Sequence, residues 1–206
     1  MKQRKAQLER KSKETEIKAE LNMDGRGRTD IHTRIGLLDH MLELFAFHGY
    51  FDLTLEVKEA DLAIDIHHTN EDIGIVLGKI FKKALGAKEG IRRFGSAFVP
   101  MESTLGHTVV DISGRGYFTL RMGEAGTAFP PIKEREGYSI KHLEHFLESL
   151  AHGLGATLQV KIMNPDEDLH TNMETVFKSL GMALDQATRI DPRREGMVPS
   201  TKGIID

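Results

Sequence analysis

Asp39-His40-Met41-Leu42-Glu43 returns 105 positions later as Glu144-His145-Phe146-Leu147-Glu148, and that recurrence decides the fold. After a slip of two residues, Leu53-Thr54-Leu55-Glu56-Val57 and Thr157-Leu158-Gln159-Val160 align at an offset of 103. At the same offset His67 falls on His170, Glu71 on Glu174, and Leu77-Gly78 on Leu180-Gly181. Chance does not keep one register over so many positions, so the chain is a duplicated unit.

Hydrophobic periodicity gives the content of each unit. Glu16 to Met23 alternates as a half-buried strand, Asp24-Gly25 turns, and Arg28 to Thr33 is expected to return as its hairpin partner. Leu37, Leu38, Met41, Leu42, Leu44 and Phe45 recur at helical spacing until His48-Gly49. Phe51 to Val57 alternates again, and about Asn70 to Leu85 is helical. The second unit repeats this order. Leu105 to Ser113 and Gly116 to Met122 are expected as strands joined across Gly114-Arg115, and Glu124 to Gly137 as a loop. Helix follows at Ile140 to Leu154, strand at Ala156 to Ile162, and helix at about Asn172 to Ala187. Helices packed on one side of each sheet predict an α+β fold of two half-domains, sheets outside and helices packed between. The expected segments are a basic lead-in at 1–13, repeats at 14–95 and 96–190, and a tail at 191–206.

The 206 residues are 39% hydrophobic and 29% charged, as in an ordinary globular chain large enough for a sizeable core. A formal net charge of −3 supplies no global basic field for nucleic acid or anionic lipid. The absence of cysteine excludes a disulfide scaffold, a thiol nucleophile and a thiolate zinc site. No stretch approaches the roughly 20 apolar residues of a membrane span. Met1 to Lys13 is basic without an apolar run behind it, and reads as a solvated, frayed lead-in to a cytoplasmic protein.

A metal in such a chain must be held by nitrogen and oxygen, which turns attention to the ten histidines. His67, His68 and Glu71 stand at the start of a helix. There His67 and Glu71 (i, i+4) share a face, as do His68 and Glu71 (i, i+3). Adjacent histidines lie about 100° apart around the axis, so the two rings suit two metals, or two subunits, better than one ion. His170 and Glu174 repeat the i, i+4 pair, and His40 matches His145. Imidazole with carboxylate suits Mn, Fe, Zn or Co, the carboxylate share favouring a harder ion. Asp65 and Asp168 are expected to fix ring tautomers from behind. His32, His107, His142 and His152 have no repeat partner and read as structural.

Pro199-Ser200-Thr201-Lys202-Gly203 offers hydroxyls, backbone N–H groups and an ammonium, which suit a phosphate but equally an ordinary polar tail. Arg92-Arg93-Phe94-Gly95 and Asp111-Ile112-Ser113-Gly114-Arg115 place guanidinium groups at strand edges, where they could hold phosphate oxygens. Phosphate loops of the Walker or Rossmann type are absent.

These blocks together resemble the imidazoleglycerol-phosphate dehydratase family of histidine biosynthesis, from about Arg10 to Gly203. The resemblance is carried by Glu14-Thr15, Leu38-Asp39-His40-Met41 with His48-Gly49, and His67-His68-Thr69-Asn70-Glu71-Asp72. It continues through Arg93-Phe94-Gly95, Asp111 to Arg115, Glu144-His145-Phe146, Phe177-Lys178 and Pro199 to Gly203. It implies a hydro-lyase that converts imidazole glycerol phosphate to imidazole acetol phosphate. It also implies a cage of 24 chains built from trimers, with two Mn²⁺ per active site at subunit contacts. There the substrate ring is held as an imidazolate and serves as electron sink. By the same resemblance His40, His67, His68, His145, His170, Glu71 and Glu174 are metal ligands, the two glutamates counting also as catalytic. Glu14 and His48 touch the substrate, Glu14 as a candidate for proton transfer. Arg93, Arg115, Ser200 and Lys202 bind the phosphate.

Four positions depart from the family pattern. Thr171 stands where the second motif carries its second histidine, and Ser103 where a glutamate follows Met-Asp. Arg34 replaces a usual glycine, and Ile66 an aspartate. The first two motivate an alternative of a different class, a diverged paralogue that binds or assembles without turnover. A lyase or hydrolase acting on a related phosphorylated substrate is the third reading.

Overall fold

A computed structural model of the chain describes residues 4–63, 65–124, 126 and 128–205. The first half comprises β1 (Lys5–Lys11), β2 (Glu16–Asn22), β3 (Thr29–His32), α1 (Gly36–His48), β4 (Asp52–Glu59) and α2 (His67–Leu85). The second comprises β5 (Phe94–Met101), β6 (Thr104–Asp111), β7 (Tyr117–Met122), α3 (Ile140–Leu154), β8 (Thr157–Met163) and α4 (Leu169–Thr188). A 3₁₀ turn at Pro192–Arg194 interrupts the tail. The sheets have matching orders, β1-β2-β4-β3 and β5-β6-β8-β7. Two half-domains with helices between outer sheets are the architecture that the duplication predicts.

Three expectations are corrected, and one strand, β5, is added. Residues 5–11 are not a frayed lead-in: β1 pairs antiparallel with β2 along its whole length, Lys5 opposite Asn22 and Lys11 opposite Glu16. β3 is not the hairpin partner of β2 but lies parallel to β4, from which α1 separates it in sequence. A parallel pair needs such a crossover, so the intervening helix decides the pairing. Likewise β7 lies parallel to β8 and does not pair with β6, because β8 runs between them. β5 escapes the alternation rule because its pattern is inverted: Phe94 and Phe98 are exposed while Gly95 and Ala97 face inward. The reason is α4, whose Ala183 carbonyl oxygen lies 1.9 Å from where a Cβ on Gly95 would sit.

The core fills the space between the sheets. Ile17, Ala19, Leu21, Leu53, Leu55 and Val57 meet Leu38, Met41, Leu42 and Phe45 of α1, with Ile73, Val76, Leu77 and Ile80 of α2. Across the middle α2 lies against α3, and α1 against α4. Both contacts are backbone to backbone at a glycine. A Cβ on Gly78 would fall 2.4 Å from the Leu150 oxygen and 2.7 Å from the Leu154 nitrogen. One on Gly181 would fall 2.3 Å from the Phe45 oxygen and 3.1 Å from the Gly49 nitrogen. These are the same contacts in duplicate, since Gly78 and Gly181 are 103 apart, and Leu150 and Leu154 lie 105 beyond Phe45 and Gly49.

Two loops are fixed by buried or half-buried charge. Asp72 of α2 receives the Thr15 hydroxyl at 2.5 Å and pairs with Arg10, pinning the β1–β2 hairpin to the helix. Asp52 accepts from the backbone N–H groups of Arg26 (2.8 Å) and Arg28 (3.1 Å) and from the Arg28 guanidinium (2.6 Å). Arg34 has φ 66°, a left-handed value that explains a preference for glycine there. Its guanidinium donates to the Val57 oxygen at 2.9 Å and to the Lys58 oxygen, which offsets the strain.

Two stability predictions follow from these contacts. Gly78→Ala gains helix propensity of about 1 kcal/mol, but its methyl meets backbone that cannot rotate away. The overpacking cost prevails for a net loss of about 2 kcal/mol, a fall of roughly 4–8 °C in thermal midpoint at matched concentration. Gly36→Ala, with nothing within 4 Å of the new Cβ, should leave the midpoint level or slightly raised. Asp52 carries the pH signature. The Arg28 guanidinium above all, with the loop N–H groups, holds its carboxyl well below the usual carboxylate range against the opposing effect of burial. A depressed pKa stabilises the fold above the unfolded value and loses that contribution as pH falls through the folded one. Chemical denaturation should therefore show Asp52→Asn less stable than the native chain at pH 7. The gap should narrow as pH drops below about 4; a gap independent of pH would contradict the assignment.

Candidate metal centre

The histidines of interest sit in the first turns of two long helices. His67 opens α2, and its backbone N–H donates to the Asp65 carboxylate at 2.7 Å. His170, second in α4, donates its N–H to Asp168 at 3.2 Å. Asp168 is thus the N-cap of α4, while Asp65, one residue before the N-cap Ile66 of α2, accepts from the first helical N–H; each satisfies a donor that has no intrahelical acceptor. Neither carboxylate has a hydrogen bond to a histidine ring among the described residues, so the expected tautomer-fixing role is replaced by a backbone one.

Because α1 and α4 run side by side in the same direction, His40 comes to face the first turns of α4. Its Nε2 lies 3.4 Å from Glu174 Oε1, and the same oxygen is 2.7 Å from His170 Nε2. The two rings are 5.1 Å apart between centroids. The three donor atoms lie within 4.8 Å of one another, as a shared cation requires. The Lys178 ammonium, one turn further along α4, pairs with the other oxygen, Oε2. Burial alone would raise the Glu174 carboxyl, but hydrogen bonds from Lys178, His170 and His40 outweigh it and bring it down to about 2. The carboxylate is therefore ionised, with Oε1 turned toward both imidazoles.

The repeat-related residues come together where α2 meets α3, as a chain of contacts whose three donor atoms do not converge within 4.8 Å as those of the first set do. His145 Nδ1 lies 2.9 Å from His67 Nδ1, and His67 Nε2 is 3.7 Å from Glu71. His68, the next residue, takes another direction, as the helical angle requires. Its Nδ1 is 3.0 Å from Asp61 and 3.8 Å from Glu14. Asp61 first and Glu14 second raise the His68 pKa. Glu14 is delivered to this spot by the hairpin that Asp72 anchors. Thr171, the repeat counterpart of His68, is 8% exposed and brings no imidazole.

The expected phosphate group is partly gathered. Arg93 donates from Nε and Nη2 to Asp111 (2.7 and 3.2 Å) and from Nη1 to the Pro199 oxygen (3.0 Å), tying the tail to β5 and β6. Ser200 and Lys202 follow in the same turn, the Lys202 N–H donating to the Ser200 hydroxyl at 3.2 Å. Arg115 is exposed in the loop after β6. His48, at the end of α1, shares a cleft of about 380 Å³ with Phe47, Tyr50, Met182 and Arg189. Burial, then the Lys178 ammonium, lowers its pKa, so the ring is neutral near pH 7. Three of the unrepeated histidines have local partners: His32 with Asp30, His107 stacked on Phe98, and His142 accepting the Ser139 N–H at the start of α3.

Two imidazoles and a carboxylate, with no sulfur, fit a divalent first-row ion, and the carboxylate is already ionised. Sequence reasoning assigned no role to Lys178, although its i, i+4 spacing from Glu174 signals the pair. It also missed Asp61, for which the sequence carries no signal, since a loop brings it to His68.

Residues 33–184 match the model of the imidazoleglycerol-phosphate dehydratase family. The chain is 49% identical over 204 residues to the imidazoleglycerol-phosphate dehydratase of Thermoanaerobacter sp. (strain X514), covering 98% of this chain and 100% of that one. It is 47% identical over 200 residues to that of Geobacter metallireducens, covering 97% and 98%. Among solved structures it is similar to the Pyrococcus furiosus protein of that name in complex with (S)-C348. There the TM-score is 0.78 and the identity 36%, over 96% of this chain and 99% of that one. The Staphylococcus aureus N315 dehydratase gives a TM-score of 0.76 at 28% identity, over 91% and 99%. With its paired helices, duplicated histidine–glutamate clusters and near full-length identity to these proteins, the chain belongs to the imidazoleglycerol-phosphate dehydratase family of hydro-lyases.

Proposed function

We propose that this chain removes water from imidazole glycerol phosphate to give imidazole acetol phosphate in histidine biosynthesis, as a Mn²⁺-dependent homo-oligomer in the cytoplasm. The observation that carries the reading is the convergence of His40, His170 and Glu174, with the repeat-related contacts of His145 with His67 and of His67 with Glu71, in a member of this family. These residues would hold the two ions, with His68 as a further donor. When bound, Mn²⁺ supplies Lewis acidity toward the substrate's imidazole, which lets the ring accept electrons from a carbon that has no carbonyl beside it. The assembly is a 24-mer built from trimers, with the sites at contacts between copies.

The chain's own groups do the positioning and the proton transfer. Glu14, exposed at the hairpin tip and anchored through Thr15, Arg10 and Asp72, is the group that moves a proton. The neutral His48 ring contacts the substrate's polar atoms. Arg93 spends three of its five N–H groups on Asp111 and Pro199, leaving two for a phosphate oxygen. Arg115, Ser200 and Lys202 complete the phosphate site. Holding the phosphate places the glycerol chain against Glu14, and orientation of this kind supplies several kcal/mol of a barrier.

Thr171 and Ser103 support one competing reading, a diverged paralogue that binds without turnover. Product assays separate the two. Metal-stripped protein should be inactive and should recover on adding Mn²⁺. Glu14→Gln should lower kcat by about 10² or more with KM little changed, whereas Arg115→Ala should act mainly by raising KM. Absence of product from Mn²⁺-loaded, assembled protein that still binds the substrate would decide for the paralogue.

A further inference from the structure

We infer that the two cation sites are of unequal strength, because the duplication repeats a set of two histidines and one glutamate but leaves only one exposed imidazole next to those sets, His68, to complete a site of a second copy. The inference rests on the metal-dependent, oligomeric reading above and concerns what this particular chain does with it.

The clusters are repeat mates: His40, His170 and Glu174 correspond to His145, His67 and Glu71. Each offers two imidazoles and one carboxylate, which leaves open positions on an ion that favours six ligands. The next donor in sequence cannot turn back to fill one. The His68 ring is 5.6 Å from that of His67 between centroids, and it is held toward Asp61 and Glu14. Its side chain is 45% exposed, so it presents an imidazole to whatever lies across that surface. The carboxylate partner orients the ring and strengthens it as a donor. If the duplication were faithful, position 171 would present a second such imidazole. Thr171 instead has a short, neutral side chain and is buried. Per copy of the chain, then, two clusters await a donor from a neighbour and one donor is available. The missing donor is the one that would travel, so both in-chain sets keep their own two histidines and glutamate. Thr171 therefore weakens one class of site and leaves the other intact.

Titration of metal-stripped, full-length protein in its assembled state with Mn²⁺ tests this, by calorimetry together with electron paramagnetic resonance of the free ion. Two classes of one ion per chain each are expected, their Kd values separated by about tenfold or more, since loss of even an outer partner of a ligand costs 10–100-fold. His68→Ala, at an exposed position, should remove the separation by weakening the tight class. Thr171→His should remove it by strengthening the weak class. Should Thr171→His not fold, His68→Ala alone remains decisive. A single uniform class of two ions per chain in the native protein, or His68→Ala leaving both classes as they were, overturns the inference. Uniform binding accompanied by turnover would leave the proposed function standing, whereas protein that takes up no Mn²⁺ overturns both.

Discussion

The close approach of helices at Gly78 and Gly181 is the constraint on which the rest of this structure depends. At each, a helix backbone lies against the backbone of a helix from the other repeat, closer than any side chain would allow. Two such contacts, related by the duplication, hold α2 beside α3 and α1 beside α4. Side-by-side helices running in one direction bring their first turns together. The histidines that open α2 and α4 then face His145 and His40, which stand on helices of the other repeat. A looser crossing of α1 and α4 would separate the His40, His170 and Glu174 donor atoms, which now lie within 4.8 Å of one another.

The cluster on α1 and α4 is also an electrostatic balance. Glu174 is nearly buried, which would ordinarily favour its neutral form. Three donors reverse that, the Lys178 ammonium on one oxygen and two imidazoles around the other. The ammonium stabilises the carboxylate without occupying the oxygen that the histidines share. Beside His67, by contrast, Glu71 is half exposed and has no lysine pair among the described residues. The two repeats have thus drifted in their surroundings while keeping the same ligand types.

How much of this was legible in the sequence depends on where each signal lies. The repeat register, the helices and most strands were legible, because their apolar periods of 3.6 and 2 are local. β5 was not, because α4 approaches its first half so closely that Gly95 and Ala97 face inward there, while Phe94 and Phe98 lie outside. Of the site, the ligand types and their spacing along each helix were legible. Lys178 could have been read from its spacing, whereas Asp61 could not. The roles of Asp65 and Asp168 were misjudged because a carboxylate two residues before a histidine serves its ring or its backbone N–H equally well on paper.

By itself the sequence determined that the chain is a cysteine-free α+β duplication with nitrogen and oxygen donors at repeated positions, and which family its motifs resemble. Only the tertiary structure decided which histidine meets which. The i, i+4 rule links His170 to Glu174 within one helix, but nothing along the chain says that His40 joins them or that His145 joins His67. Nor does it say that His68 leaves its neighbour for Asp61 and Glu14. Those pairings are made between helices far apart in sequence, where contact is set by how closely two backbones approach, and residue spacing along either one carries no information about it.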